Sequence, residues 1–163
     1  MKRFFSILAL CILSLTSWMS ISADAQNKMF KKYSDMDDVE YICITKSMLK
    51  LLSVGGSATI NGVHIDGITN ALNIVLIINS DDSKKAQQLM KEDYAKLVAD
   101  PNYETLMSIK NDGERVETLL NATQPVKEVV MYIDESDGDQ VFIVLTGKFT
   151  DEQLAKLLNG NNK

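Results

Sequence analysis

Reactive side chains are few in this sequence. It contains one histidine, His64, and two cysteines, Cys11 and Cys43. Cys11 lies in an apolar N-terminal segment that we expect to be removed, and a single remaining thiol cannot form an internal disulfide. The fold must therefore be stabilised by a hydrophobic core. Because Ile42 and Ile44 flank it in an apolar stretch, Cys43 is predicted to be a small buried residue of an interior strand.

Motifs of catalysis and cofactor binding are also missing. The chain has no nucleophile elbow, no His-Glu-x-x-His motif, no Cys-x-x-Cys pair and no glycine loop of the Walker or dinucleotide type. The Gly55-Gly56-Ser57 sequence lacks the lysine of a phosphate loop and is interpreted as the end of a helix. A zinc site would have to combine His64, Cys43 and carboxylates. We therefore predict no catalytic, cofactor-binding or metal-binding residues and no cofactor, and we favour a protein without enzyme activity.

Acidic residues form two clusters that resemble calcium ligands. They are Asp35, Asp37, Asp38 and Glu40, and Asp134, Glu135, Asp137 and Asp139. The second cluster does not match an EF-hand loop, because Gly138 at the sixth position places Ile133 at the first, where a carboxylate is required. We interpret both clusters as solvated loops and as turn aspartates that hydrogen-bond their own backbone.

The charge of the chain limits its partners. The formal net charge is −5 at pH 7, and 45% of the residues are hydrophobic. Nucleic acids and anionic membrane surfaces attract basic proteins, so both are unexpected partners. The hydrophobic content and the length of 163 residues are sufficient for one domain with its own core.

The N-terminus has the pattern of a secretory signal peptide. Met1–Arg3 is basic, the segment 4–22 is apolar, and Ala23-Asp24-Ala25 has small residues at the positions of a cleavage site. We predict that residues 1–25 are cleaved and that 26–163 form a single domain without a membrane span, in the periplasm or secreted. A retained anchor is the alternative. A lipid anchor at Cys11 is disfavoured because the preceding residue is not small.

Hydrophobic periodicity predicts strands alternating with helices in the first half of the domain. The expected elements are strands at 39–45 and 72–79, helices at 46–53 and 83–99, and two short strands around Asn61-Gly62. Four antiparallel strands and a final helix follow. This order predicts an α+β fold with a single mixed, mostly antiparallel sheet of about six strands and helices mainly on one face.

Two Asp-Gly dipeptides predict tight hairpins, because both central residues of a type I′ turn need positive φ. A turn at Asp112-Gly113 would place Ile109 opposite Val116. A turn at Asp137-Gly138 would place Tyr132 opposite Ile143, between strands that are apolar on both faces and therefore central. Thr150 and Gln153 have the spacing of a capping box that starts the last helix.

Several of these segments resemble a known family. They are F-x-x-Y-S-D-x-D-x-V at 30–39, I-T-K-S-M-L-K-L-L at 44–52, I-T-N-A-L-N-I-V-L-I at 68–77 and L-T-G-K-F-T-x-E-Q-L at 145–154. Together they are similar to the small secreted domains of Bacteroidota that form domain-of-unknown-function family 4252. The resemblance implies a protein of the Gram-negative cell envelope, and it implies no catalytic residue.

Two hypotheses for function follow from the sequence. The first is an exported envelope domain that acts as a non-catalytic binding or interaction module for an envelope protein or a small ligand. The alternative is a carboxylate-dependent hydrolase of envelope glycans, which would need two carboxyl groups at a defined separation in one cleft. A deep cleft flanked by two carboxylates, one of them in apolar surroundings, would favour the second hypothesis. A flat exposed apolar patch beside an open strand edge would favour the first.

Overall fold

A computed structural model describes residues 24–54, 59–60, 63–65 and 68–160. The chain forms two units, Met1–Lys31 and Lys32–Lys163. In the first, helix α1 spans Asp24–Lys31. The predicted signal segment up to residue 23, the Gly55-Gly56-Ser57 sequence and the His64 side chain lie outside the described part.

The second unit is built on one six-stranded sheet. Its strands are β1 (Glu40–Thr45), β4 (Leu72–Asn79), β5 (Tyr103–Asn111), β6 (Glu114–Asn121), β7 (Lys127–Asp134) and β8 (Gln140–Gly147). They lie in the order β1-β4-β8-β7-β6-β5, and every pairing is antiparallel. The short strands β2 (Thr59–Ile60) and β3 (Val63–His64) pair separately, as predicted around Asn61-Gly62. The predicted α+β fold is confirmed.

Helices pack against the two faces of this sheet. They are α2 (Lys46–Val54), α3 (Lys84–Ala99) and α4 (Asp151–Gly160), and a 3-10 turn (Lys32–Asp35) opens the unit. Leu49 of α2 and Leu154 of α4 share one core cluster with Met131 and Ile143. Tyr94 of α3 stacks on Tyr132 with ring centroids 4.2 Å apart. Because Met131 and Tyr132 project from opposite faces of a strand, α2 and α4 cover one face, the α2/α4 face, and α3 covers the other, the α3 face. No helix among the described residues is long and apolar enough to cross a membrane.

The β5–β6 hairpin has the predicted register. Asp112 and Gly113 both have positive φ, 46° and 91°. Asn111 pairs with Glu114, and Ile109 lies opposite Val116. The prediction from this Asp-Gly dipeptide is confirmed.

The β7–β8 hairpin is offset by one residue from the prediction. Tyr132 lies opposite Phe142, and the predicted partner Ile143 lies opposite Met131. The Gly138 N–H donates to the Glu135 carbonyl at 3.0 Å, and Gly138 has a φ of 101°. This is a three-residue loop in which glycine closes a turn in the left-handed region, so the two-residue turn was the wrong type. The strands are central and covered on both faces, as expected.

Strand β1 is an edge strand, which corrects two predictions. It is the first strand of the sheet and pairs with β4. Ile42 and Ile44 pack on the core cluster, whereas Cys43, which projects from the opposite face, is exposed. The predictions of an interior strand and of a buried Cys43 are therefore wrong.

Helix α4 begins with the predicted capping box. The Thr150 N–H donates to Gln153 Oε1 at 2.9 Å, and the Gln153 N–H donates to Thr150 Oγ1 at 3.2 Å. Each side chain satisfies a backbone donor that the first helical turn leaves without a partner. Ser83 caps α3 in a similar way by accepting from the Ala86 N–H.

Candidate functional site: a cleft beside a buried glutamate

A cleft of about 230 Å³ opens at the end of the sheet where β5 begins and β6 ends. It is lined by Pro101, Asn102, Tyr103, Glu104, Leu120, Ala122 and Thr123. The preceding helix α3 ends at Ala99, and Asp100 after it is extended, since a residue before proline is disfavoured in helical geometry. The Tyr103 N–H donates to the Asp100 carbonyl at 3.0 Å, and this tight turn directs the chain into β5.

The opposite wall is held by a local turn at the end of β6. Asn121 Oδ1 accepts from the Thr123 N–H at 3.1 Å and from Thr123 Oγ1 at 2.7 Å. Such side-chain bonds to the backbone two residues ahead stabilise turns. They fix Ala122 and Thr123 beside Leu120, so both walls of the cleft are defined by hydrogen bonds.

Behind Tyr103 lies a buried carboxyl group, that of Glu128. The register places Tyr103, Asn121, Glu128 and Thr146 side by side across β5 to β8, on the α3 face. The Tyr103 hydroxyl donates to Glu128 Oε1. Glu128 has no exposed surface, and its Oε2 has no hydrogen-bond partner among the described residues. A buried oxygen without a partner is uncommon and is often found at functional positions.

Burial changes the acidity of this pair. It raises the pKa of Glu128 to about 7, although the hydrogen bond from Tyr103 acts in the opposite direction. Burial and the adjacent Glu128 also raise the pKa of Tyr103, so the phenol keeps its proton and stays a donor. Glu128 therefore gains or loses a proton near neutral pH.

Asp93 shows how a buried carboxylate differs when it has donors. Tyr33 donates to it at 2.8 Å and Lys96 at 2.9 Å, and Lys32 forms a second ion pair with it. Burial favours the neutral form, but the bonds from Lys32, Lys96 and Tyr33 outweigh burial and lower the pKa of Asp93. Asp93 is thus a satisfied structural group, whereas Glu128 accepts from Tyr103 at one oxygen and leaves the other without a partner.

The acidic residue that lines the cleft, Glu104, projects from the other face of the sheet. It pairs with Leu120, which lies opposite Val129 in the core cluster of the α2/α4 face. Neighbouring residues of a strand alternate between faces, so Glu104 and Glu128 do not converge on one point. Two carboxyls that flank a single bond, as glycoside hydrolysis requires, are not formed by this pair.

The acidic clusters singled out in the sequence have structural contacts. Asp139 accepts from the Asp82 N–H at 3.1 Å and from Gln87 Nε2 at 3.0 Å, which ties the β7–β8 loop to the start of α3. Asp38 accepts from the hydroxyl of Ser83. Among the described residues, no three His, Cys, Asp or Glu side chains are placed to hold a metal ion.

Sequence reasoning missed Glu128 and the cleft beside it. Glu128 follows Lys127 at the start of β7. Glu128 lies two residues before Val130 and four before Tyr132, so it projects from the same face of β7. Both of those residues are buried on the α3 face. Extending that alternation by one position would have predicted an inward-facing carboxyl group.

Comparison with known proteins identifies one family. The family model described as Domain of unknown function (DUF4252) matches residues 33–157, which include the six-stranded sheet and every residue that lines the cleft. No curated protein matches the chain.

Proposed function

The chain belongs to the DUF4252 family, and we propose that it is a non-catalytic binding module that takes up an extended polypeptide segment on the free edge of β5. The proposal is carried by one observation. Strand β5 has nine residues, ends the sheet, and pairs on one side with β6. An open strand edge can bind a peptide as an additional strand through main-chain hydrogen bonds.

The hairpin register identifies the backbone groups that are available. In a two-residue hairpin the residues flanking the turn, here Asn111 and Glu114, form a hydrogen-bonded pair. Pairs alternate along an antiparallel ladder, so Ile109 also directs its N–H and C=O toward β6. Ser108 and Lys110 occupy the alternate positions, so their N–H and C=O groups point away from β6, toward the open edge. A partner strand would pair with Ser108 and Lys110.

Two further features favour β5 over the other end of the sheet. Ile109 is 42% exposed and offers an apolar side chain next to the free edge. The first half of the edge is less open to a partner, because a register shift between Thr105 and Met107 interrupts the ladder and bulges commonly protect edge strands. The stretch after it, Met107–Asn111, keeps a regular pairing with β6. By comparison, β1 at the opposite end has six residues.

The alternative of a carboxylate-dependent hydrolase gains no support from the cleft. Glu104, which lines the cleft, and Glu128, which lies behind Tyr103, project from opposite faces of the sheet. The raised pKa of Glu128 is explained by burial, and this carboxyl is not among the groups that line the cleft. The arrangement therefore disfavours the hydrolase hypothesis.

Lys110→Pro should abolish peptide binding while leaving the hairpin intact. Proline removes the outward N–H and does not disturb the bonds between β5 and β6, because Lys110 makes none of them. Lys110→Ala removes the same side chain but keeps the N–H, and it should bind normally. The probe is a phage-displayed library of random peptides of about ten residues. Affinities of selected peptides are measured for the three proteins by fluorescence anisotropy.

Amide exchange provides a second measure of edge pairing. The Ser108 and Lys110 amides should exchange more slowly in the presence of a selected peptide, because they become hydrogen-bonded. Selected peptides that bind Lys110→Pro as tightly as the wild-type protein would refute binding at the β5 edge. So would an unchanged exchange rate at both amides.

We also propose that the protein is exported to the periplasm or secreted. The basic start, the apolar segment and the Ala23-Asp24-Ala25 site support cleavage after Ala25. Expression of the full gene in a Gram-negative host should give a periplasmic form that starts at Gln26. Intact-mass spectrometry of that fraction tests this prediction, and a mass that includes residues 1–25 would contradict it.

A further inference from the structure

We propose that the cleft receives a basic side chain, lysine or arginine, from the strand bound at β5. This inference rests on the proposed function and specifies the chemistry of the partner. The cleft adjoins the start of β5, because Tyr103 and Glu104 both line the cleft and are the first residues of that strand. A partner that pairs with Ser108 and Lys110 and continues past the bulge between Thr105 and Met107 therefore brings one of its side chains to the cleft.

The walls of the cleft match the two parts of a basic side chain. Pro101 and Leu120 offer apolar surface to an aliphatic stem, and the Glu104 side chain is exposed and can accept from the charged head. Lysine and arginine commonly bury their stems in this way while the head stays near water.

Glu128 contributes by fixing the position of Tyr103. Its Oε1 accepts from the Tyr103 hydroxyl, and Glu128 itself is fully buried in the centre of the sheet. The start of β5, from which Glu104 projects, is therefore held in place before a partner binds. A wall that is already ordered costs less conformational entropy on binding.

The size and charge of the site also favour this occupant. Pockets for drug-sized ligands have volumes of about 300–1,000 Å³, whereas this cleft has about 230 Å³. It suits one side chain of a longer partner. The chain carries a net charge of −5, which disfavours an acidic partner and favours a basic one.

The test repeats the peptide selection with the purified wild-type protein and then with two variants of Glu104. Peptides selected by the wild type should be enriched in Lys or Arg at one position. Glu104→Gln should weaken them about threefold, the range of a partly exposed ion pair. Selection on Glu104→Lys should instead enrich Asp or Glu at that position. Glu40→Gln, which removes an exposed carboxylate on β1, is the control and should bind like the wild type.

The outcomes separate this inference from the proposed function. Peptides that lose binding to Lys110→Pro but show no basic enrichment would overturn the inference and leave edge binding intact. The same holds if Glu104→Lys selects the same peptides as the wild type. If no selected peptide is sensitive to Lys110→Pro, both proposals fail.

Discussion

Replacing Gly147 with alanine should strongly destabilise the folded chain. A Cβ atom at Gly147 would lie against the carbonyl oxygen of Ala71 and 2.8 Å from the Leu72 Cα. Both are backbone atoms, so no rotation of a side chain can relieve the contact. Gly147 also pairs with Leu72 on one side and Lys127 on the other, inside the sheet. Moving these strands apart would break hydrogen bonds between β8 and its two neighbours in the sheet, β4 and β7.

We expect a loss of about 3 kcal/mol or more for Gly147→Ala, which is a large part of the stability of an ordinary domain. Urea unfolding monitored by circular dichroism measures it. Two control variants distinguish the steric clash from backbone strain and from the general effect of an alanine substitution in this region. A Cβ atom at Gly138 would meet no other atom within 4 Å, but the φ of this residue is 101°. Gly138→Ala should therefore lower the free energy of unfolding by about 1–2 kcal/mol through backbone strain alone. Lys148→Ala, at an exposed neighbouring position, should leave stability almost unchanged. Cooperative unfolding of Gly147→Ala at wild-type urea concentrations would contradict the steric argument.

Local chemistry explains which parts of the fold could be predicted. The Asp112-Gly113 turn and the Thr150–Gln153 capping box depend on residues within a few positions of one another, and both occur as expected. A turn that needs positive φ, or a hydroxyl that caps a helix, acts whatever the rest of the chain does. Such signals could be read without knowledge of the tertiary structure.

The errors came from patterns that fit two structures equally well. The dipeptide Asp137-Gly138 can form the centre of a two-residue turn, or the glycine can close a three-residue loop. The second is observed, and it shifts the whole β7–β8 register by one residue. The apolar run around Cys43 was similarly ambiguous, because hydrophobicity alone does not show whether a strand has one neighbour or two. The single neighbour of β1 depends on the complete strand order.

The candidate site was not predictable as a site because its parts come from distant segments. The turn at Pro101 and the turn at Ala122 are joined only through the β5–β6 hairpin, and Glu128 belongs to the next strand. Each residue has an ordinary local interpretation. Together they place a buried carboxyl group behind one wall of an open cleft.

Stability should fall as pH rises through the range in which Glu128 ionises. Burial raises its pKa in the folded state from the ordinary value of 4.5 to about 7. Between these values the folded protein binds more protons than the unfolded chain, so raising the pH favours unfolding. The stabilising effect of the neutral carboxyl is complete below about pH 4.5, decreases up to about pH 7, and is absent above it.

This change should amount to about 3 kcal/mol at most, because each tenfold change in acidity corresponds to about 1.4 kcal/mol. The cross-strand neighbours of Glu128 are Asn121 and Thr146, neither of which carries charge. The ionised form of Glu128 is therefore stabilised by the hydroxyl of Tyr103, and none of these cross-strand neighbours supplies a cation. Asp93, which is held by Lys32 and Lys96, has a lowered pKa and contributes with the opposite sign.

Glu128→Gln isolates the contribution of this one group. Glutamine keeps an oxygen that accepts from Tyr103 but cannot ionise, so the variant should lack the decline between about pH 4.5 and about pH 7. Urea unfolding at several pH values gives the difference in unfolding free energy between wild type and variant, in which the other titrating groups cancel. That difference should shift in favour of the variant by about 3 kcal/mol from acid to alkaline pH.

Tyr103→Phe supplies the complementary test of the same carboxyl group. The Tyr103 hydroxyl lowers the pKa of Glu128, so its removal should raise that pKa further and extend the loss of stability to higher pH. In the double variant, Glu128→Gln with Tyr103→Phe, this extension should vanish. Parallel stability curves for the wild type and Glu128→Gln would contradict this account, because they would show that the pKa of Glu128 is the same in the folded and the unfolded chain.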